Sequence, residues 1–135
     1  MRKAFGIVIG CILLCGLATA AMLAVPPPTP VTVTINGDMD TDGVDTPWFE
    51  LSRSAGDTVQ WANSTNSNCT LSFGKKKFLK QSEIDVPAKG QSIVLNASDA
   101  PAPKAGWPPN KVYKVYKYTV ECGGVSFDPG GGMRP

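Results

Sequence analysis

Residues 118–122 (YTVEC), followed by residues 123–129 (GGVSFDP), form the stretch on which the fold prediction depends. Side chains alternate along it, and one face of the extended chain carries Tyr116, Tyr118, Val120 and Cys122. A period of two predicts a half-buried strand with Cys122 pointing into the core. The glycines that follow predict that this is the last core strand and that a surface loop comes after it.

Other short segments earlier in the chain alternate in the same way. They are residues 31–35 (VTVTI), 58–61 (TVQW) and 69–73 (CTLSF). Residues 83–87 (EIDVP) and 91–95 (QSIVL) indicate two more strands joined by the turn at residues 88–90, and residues 46–51 indicate a short extended piece. Several short strands separated by turn residues, without a helical stripe, predict an all-β sandwich or barrel over residues 31–135.

The N-terminal residues have the features of an export signal. A basic start (MRK) precedes an uncharged apolar run from residue 4 to 24, with small residues spaced A-x-A at 18–20. This pattern predicts a signal peptide over residues 1–24 that is cleaved near residues 20–24, followed by a Pro-rich linker at 25–30. Two alternatives are a lipid anchor on Cys15 and an uncleaved N-terminal membrane anchor. We therefore expect a periplasmic or secreted protein without a membrane span after processing.

The composition limits the possible chemistry. The chain has thirteen basic and eleven acidic residues, and two of the basic ones, Arg2 and Lys3, lie in the predicted signal peptide. The mature charge is then balanced, which gives no indication of a nucleic-acid partner. Histidine is absent, so the commonest metal ligand and general base is missing. No nucleophile–base pair is recognisable, and we expect a protein that is not an enzyme.

An acidic loop offers a possible calcium site. Asp38, Asp40 and Asp42, followed by Gly43, have the D-x-D-x-D-G spacing in which alternate carboxylates converge on one cation. The rest of the calcium-loop pattern is not present, because Asp45 stands at a usually apolar position and Glu50 lies one place beyond the expected bidentate glutamate. A solvated Asp/Gly turn is the alternative.

A basic segment at residues 75–80 (KKKFLK) has two interpretations. It is a solvated hairpin that contributes one or two residues to the core, or a docking patch for an anionic surface in which Phe78 and Leu79 enter lipid or a partner.

Two of the four cysteines lie in the predicted signal peptide, which leaves Cys69 and Cys122 in the mature chain. Two cysteines in an oxidising compartment predict one disulfide. A reactive thiol pair and a soft-metal site for Cu(I) made of Cys69, Cys122 and Met133 are the alternatives.

The order of three segments resembles the cupredoxins, the blue-copper plastocyanin- and azurin-type family. Residues 56–63 (GDTVQWAN) are similar to the family's G-D-x-V-x-W-x-N strand, and residues 118–122 are similar to its Y-x-F-x-C strand, which supplies the copper thiolate. Residues 68–73 (NCTLSF) lie where the family has the P-H-x-x-x-F segment with its first copper histidine. The resemblance implies a Greek-key β-sandwich.

The departures from the family pattern concern the copper ligands. Cys69 stands in place of the first histidine, glycines and Val125 occupy the expected region of the second, and Met133 lies further along than the axial methionine. A type 1 copper site needs two imidazoles and a thiolate. Because the first histidine and the cysteine converge on one metal in the family, the resemblance implies that Cys69 and Cys122 are neighbours that can form a disulfide.

These observations together predict an exported, non-catalytic cupredoxin-like module with a structural disulfide in place of the copper site. We expect it to bind an envelope or extracellular protein, or to have a structural role in the envelope, as a monomer without a cofactor. The alternatives are a copper-binding, electron-transfer or redox protein and a calcium-dependent binding module.

Overall fold

The computed structural model describes residues 24–135. The predicted signal peptide, the alternative membrane anchor and Cys15 fall before residue 24 and lie outside the described residues. The described part contains ten strands: β1 (Pro30–Ile35), β2 (Trp48–Ser52), β3 (Thr58–Asn63), β4 (Cys69–Ser72), β5 (Glu83–Val86), β6 (Leu95–Asn96), β7 (Lys114–Lys117), β8 (Thr119–Cys122), β9 (Val125–Phe127) and β10 (Gly130–Arg134). Short 3-10 turns lie at Met39–Thr41 and Ala97–Asp99. Within residues 24–135, none of the helical segments has the length and apolarity needed to cross a bilayer.

The strands form three hydrogen-bonded sheets. Their strand orders are β1-β3-β6, β2-β10-β7 and β5-β4-β8-β9. The pairs β1/β3 and β2/β10 are parallel, and the other ladders are antiparallel. Only Tyr118 separates β7 from β8, so the predicted closing strand is divided between two sheets. The prediction of an all-β fold is confirmed.

A cluster of aromatic side chains fills the space between the sheets. Trp61 on β3 packs edge-on against Phe49 of β2 and Phe78, with ring centroids 6.0 Å apart in both pairs. The Trp61 indole N–H donates to the Tyr118 hydroxyl at 3.2 Å, which satisfies the polar atoms of two buried rings. Because these rings come from different sheets, the cluster joins the layers of a β-sandwich.

The alternation along the final predicted strand agrees with the structure. The side chains of Tyr116, Tyr118, Val120 and Cys122 are all buried. Val115, Lys117 and Glu121, which alternate with them, are exposed. The inward position predicted for Cys122 is therefore confirmed.

The prediction of a surface loop after Cys122 is wrong. Gly123 and Gly124, both at positive φ, form the turn into β9, and the chain then enters β10. Strand β10 is the central strand of its sheet, between β2 and β7. Its first three residues are glycines, which carry no side chains and so show no alternation in the sequence.

The predicted hairpin of residues 83–87 and 91–95 is also wrong. β5 pairs with β4, whereas the second segment pairs with β3, through an isolated bridge from Gln91 to Ala62 and through β6. Ser92, and not its apolar neighbours, points inward: its hydroxyl accepts a hydrogen bond from the Trp61 amide at 2.9 Å. Ile93 and Val94 are each 57% exposed. The Ser92 amide also donates to the Trp61 carbonyl at 2.9 Å, so the serine adds a side-chain bond to a backbone pairing with β3.

Candidate functional site

Cys69 and Cys122 are joined by a disulfide bond. They are directly opposite one another in the antiparallel β4/β8 ladder, with their Cα atoms 4.3 Å apart and their sulfurs 2.04 Å apart. The Cα distance is close to the ~4.5 Å of a non-hydrogen-bonded antiparallel pair, so the bridge fits ordinary strand pairing. Both cysteines are buried. The predicted disulfide is present.

A buried asparagine organises the loop that leads to the disulfide. Asn63, the last residue of β3, donates from its side-chain amide to the carbonyl oxygens of Ser67 and Val86, at 2.7 and 3.1 Å. Its side-chain oxygen accepts from the amide of Thr65 at 2.9 Å. Because this one side chain fixes both ends of the turn, the chain enters β4 with Cys69 directed inward.

Two of the three alternative soft-metal ligands are joined in the disulfide. The sulfurs of Cys69 and Cys122 are bonded to each other, and a disulfide offers no thiolate. Met133 is buried in β10, opposite Lys114 of β7 and Leu51 of β2, in a different sheet from the disulfide. The donor atoms at these positions do not fit the two imidazoles and one thiolate of a type 1 copper site.

The acidic loop folds as a capped turn. Asp38 is the N-cap of the 3-10 turn at Met39–Thr41, and its carboxylate accepts from the Asp40 amide at 2.9 Å. Asp42 follows at positive φ, as expected of an Asp/Gly turn. Within residues 24–135, three or more carboxylate, thiolate or imidazole groups do not come together as a candidate metal site. Calcium binding through Asp38, Asp40 and Asp42 stays a prediction.

The basic segment at 75–80 does not carry its apolar residues on the surface. Phe78 is 1% and Leu79 is 4% exposed. The Phe78 ring stacks on Phe73 at 5.0 Å and meets Tyr116 edge-on at 4.7 Å. Insertion of Phe78 and Leu79 into lipid or a partner is therefore wrong, and the hairpin interpretation with two core residues is correct. The lysines are left as the accessible part of the segment.

A groove that the sequence did not predict runs along β7. The β4/β8 ladder ends at the pair Ser72 and Thr119. Beyond that pair the two strands separate. The residues after Ser72 lead into the lysine-rich segment at 75–80, and the residues before Thr119 belong to β7. Three adjoining cavities of about 440, 350 and 450 Å³ lie between these arms. Each cavity is in the range of ordinary ligand sites.

We call this feature the β7 groove, and its walls are rich in lysine. Six lysines line it: Lys75, Lys76, Lys77, Lys80, Lys114 and Lys117. Two aspartates also line it, and both are already engaged. Asp99 forms an ion pair with Lys80 at 2.8 Å, and Asp128 accepts from the Thr119 hydroxyl at 2.9 Å. The groove therefore carries an excess of positive charge.

Tyrosines form the inner side of the groove. Burial raises the pKa of Tyr116, whose ring lies 5.0 Å below the Lys114 ammonium. Burial also raises the pKa of Tyr118 to about 12, and the negative charge of Asp45 adds to the increase, whereas the hydrogen bond from Trp61 opposes it. Tyr118 is therefore a neutral hydrogen-bonding group across the physiological range, and the charge of the groove comes from its lysines.

Comparison with known proteins gives structural similarities of low sequence identity. The sequence matches no protein-family profile and no curated protein. A Cu(I) structure of an amicyanin mutant has a TM-score of 0.44 to this chain and 13% identity, and the match covers 78% of this chain and 82% of amicyanin. A reduced Cu(I) form of another amicyanin mutant has a TM-score of 0.43 and 11% identity, with 83% and 87% of the two chains covered.

Proposed function

We propose that this protein is an exported, non-catalytic binding module of the cell envelope, built on a cupredoxin-like β-sandwich that is cross-linked where a copper site would lie. The observation that carries the proposal is the Cys69–Cys122 disulfide. The sequence resemblance aligns Cys69 with a copper histidine and Cys122 with the copper thiolate. Two residues at positions that hold a metal in cupredoxins are here bonded to each other.

The residue types also favour binding over redox or hydrolytic chemistry. A chain without histidine lacks the usual equatorial copper ligands and the usual general base. The disulfide is buried, is not part of a C-x-x-C motif and links two paired strands, as expected of a structural cross-link. A permanent disulfide supports an oxidising location, the periplasm or the exterior, in agreement with the export signal predicted from the sequence.

Mass spectrometry of the purified native protein tests the proposal. The protein is treated with a thiol-alkylating reagent in denaturant, with and without prior reduction. We expect no adduct on Cys69 or Cys122 until the bond is reduced, and two adducts afterwards. Adducts on both residues without reduction would contradict the cross-linked state on which the proposal rests.

A copper titration addresses the competing function on the same sample. The oxidised protein is titrated with Cu(II), and a reduced portion with Cu(I) in competition with a chromophoric chelator. We expect the oxidised protein to develop no thiolate-to-copper absorption and to retain no copper on desalting. Stoichiometric copper held by the oxidised protein would replace the binding-module proposal with a copper function. A Met133→Leu variant then serves as the control for the predicted Cys69, Cys122 and Met133 ligand set.

A further inference from the structure

The β7 groove lies where a sheet would normally have its next strand. β7 is an edge strand in the order β2-β10-β7. If the β4/β8 pairing continued past Ser72 and Thr119, the chain after Ser72 would lie beside β7. Instead it turns away at Gly74, where φ is +61°, and the groove occupies the space. From Lys114 to Thr119 the groove extends about 20 Å, the length of a strand of six residues.

The backbone of β7 presents hydrogen-bonding groups to this groove. The Tyr118 amide donates to the Pro129 carbonyl, on the β10 side, at 3.2 Å. Because hydrogen-bonded and non-hydrogen-bonded pairs alternate in an antiparallel ladder, Tyr116 bonds towards β10, whereas the N–H and C=O groups of Val115 and Lys117 point towards the groove. Within the described residues, neither of these two has a backbone partner on that side.

The positive charge of the groove indicates that its ligand is anionic. Its lysines stand on both walls, four on the segment at 75–80 and two on β7. An extended anionic chain reaches both walls at once. A lipid surface fits less well, because Phe78 and Leu79 are buried and provide no apolar group for insertion.

We propose that the β7 groove binds an extended acidic peptide segment as an added strand, with its backbone paired to Val115 and Lys117 and its carboxylates between the lysines. This form of recognition takes affinity from main-chain hydrogen bonds and specificity from side chains that alternate along the peptide. The proposal rests on the proposed binding function and specifies the chemical class of the partner.

Lysines at a free edge also have a simpler role, because charged edges keep sheets from pairing with other chains. The two roles differ in a measurable way. A merely protective edge binds no peptide strand, whereas a recognition groove binds a complementary strand and depends on the edge N–H groups. The experiment must therefore separate backbone pairing from general attraction between opposite charges.

Fluorescence anisotropy with a labelled peptide of alternating glutamate and valine provides the test. We expect saturable binding that weakens as salt rises from about 50 to about 300 mM, since exposed charges are increasingly screened. Lys76→Glu, on the groove wall, should raise Kd about tenfold or more. Lys104→Glu makes the same charge change outside the groove lining and is the matched control, for which we expect the native Kd.

Two further measurements test the backbone pairing. Val115→Pro removes an edge N–H without changing the charge and should raise Kd about tenfold relative to Val115→Thr, which keeps the N–H. A peptide N-methylated at alternate residues tests the same bonds on the native protein, so the result does not depend on the folding of a variant. It should bind at least about tenfold more weakly.

The outcomes that overturn the proposal are distinct. Equal binding of the methylated and unmethylated peptides, or of an acidic polysaccharide or anionic vesicles in place of the peptide, would reduce the groove to a general cation surface. Absence of peptide binding by protein whose cysteines resist alkylation would end the peptide proposal and leave the binding module intact. Free cysteines or bound copper in the same sample would instead contradict the proposed function.

Discussion

Removing the Cys69–Cys122 cross-link should cost this domain much of its stability. The bond closes a loop of 53 residues between β4 and β8. Freeing a loop of that length in the unfolded chain corresponds to about 4 kcal/mol at 25 °C by the chain-entropy relation. A domain of this size typically has a free energy of unfolding of about 5–15 kcal/mol, so a substantial part of the total depends on one covalent bond.

Reduction without mutation isolates the effect of the cross-link. Both sulfurs stay in the core after reduction, so the packing is largely unchanged. Cys69→Ala combined with Cys122→Ala also removes two buried sulfurs and should cost somewhat more. At roughly 4 °C per kcal/mol for a domain of about 110 residues, reduction should lower the Tm by about 15 °C.

Guanidinium unfolding followed by tryptophan fluorescence, with and without reductant, gives the required measurement. The double alanine variant is the control, because reductant should leave its midpoint unchanged. The free energies of unfolding of the oxidised and reduced native protein should differ by about 4 kcal/mol. A difference of less than about 1 kcal/mol would refute the argument that closing the 53-residue loop stabilises the domain.

Three further predictions concern the core and the strands around it. Gly131→Ala should destabilise the domain by about 1–3 kcal/mol, because a Cβ there would lie 2.8 Å from the Phe49 ring; equilibrium unfolding measures it. Asp57→Ala should cost about 2–4 kcal/mol by the same assay, since the buried carboxylate accepts backbone amides of Thr29 and Ser52 at 2.8 and 2.7 Å, and both would lose their partner. Alkaline pH should destabilise the protein through Tyr118: its pKa rises from 10.0 in the unfolded chain to about 12 when folded, so the unfolded state loses its proton first. The contribution is complete below about pH 10 and falls by about 3 kcal/mol as pH rises to about 12, which denaturant midpoints across this range would detect.

Matched control variants separate these effects from non-specific destabilisation of the fold. Gly132→Ala in the same strand places a Cβ against Val112 and the partly exposed Trp48, which can shift, so it should cost less than Gly131→Ala. Asp57→Asn keeps one acceptor oxygen and should lie between the native protein and Asp57→Ala. Tyr118→Phe should flatten the loss of stability above about pH 10. An equal loss in the two glycine variants, or an unchanged alkaline slope in Tyr118→Phe, would contradict the respective argument.

The sequence predicted those strands whose side chains alternate. Residues 31–35, 58–61, 69–73 and 83–86 all lie in or overlap β-strands, because each places apolar groups on one face and polar groups on the other. The buried polar residues of the motif GDTVQWAN have structural roles: Asp57 and Asn63 bind backbone groups at the two ends of β3. The local sequence pattern was sufficient to predict a strand where the strand's own side chains make the contacts with the core.

The remaining features depend on tertiary contacts that a local pattern does not contain. The glycine strand β10 is covered by Trp48 and Phe49 from β2, and the sequence of β10 itself holds no sign of that cover. Ile93 and Val94 look like core residues but are exposed, because Ser92 takes the inward position. The β7 groove is a space between two arms of the chain, so neither arm predicts it alone.

The disulfide and the β7 groove lie at opposite ends of the β4/β8 ladder, yet different interactions maintain them. The ladder has four pairs, with Cys69 and Cys122 at one end and the last pair before the groove at the other. Across the groove, the lysine wall is held by Phe78, whose ring contacts Tyr116 of β7 and Phe73 at the end of β4. The cross-link reduces the conformational freedom of the unfolded chain and so stabilises the whole domain. The aromatic contacts instead fix the distance between the two walls of the groove. The shape of the groove should therefore depend on Phe78 more than on the oxidation state of the cysteines.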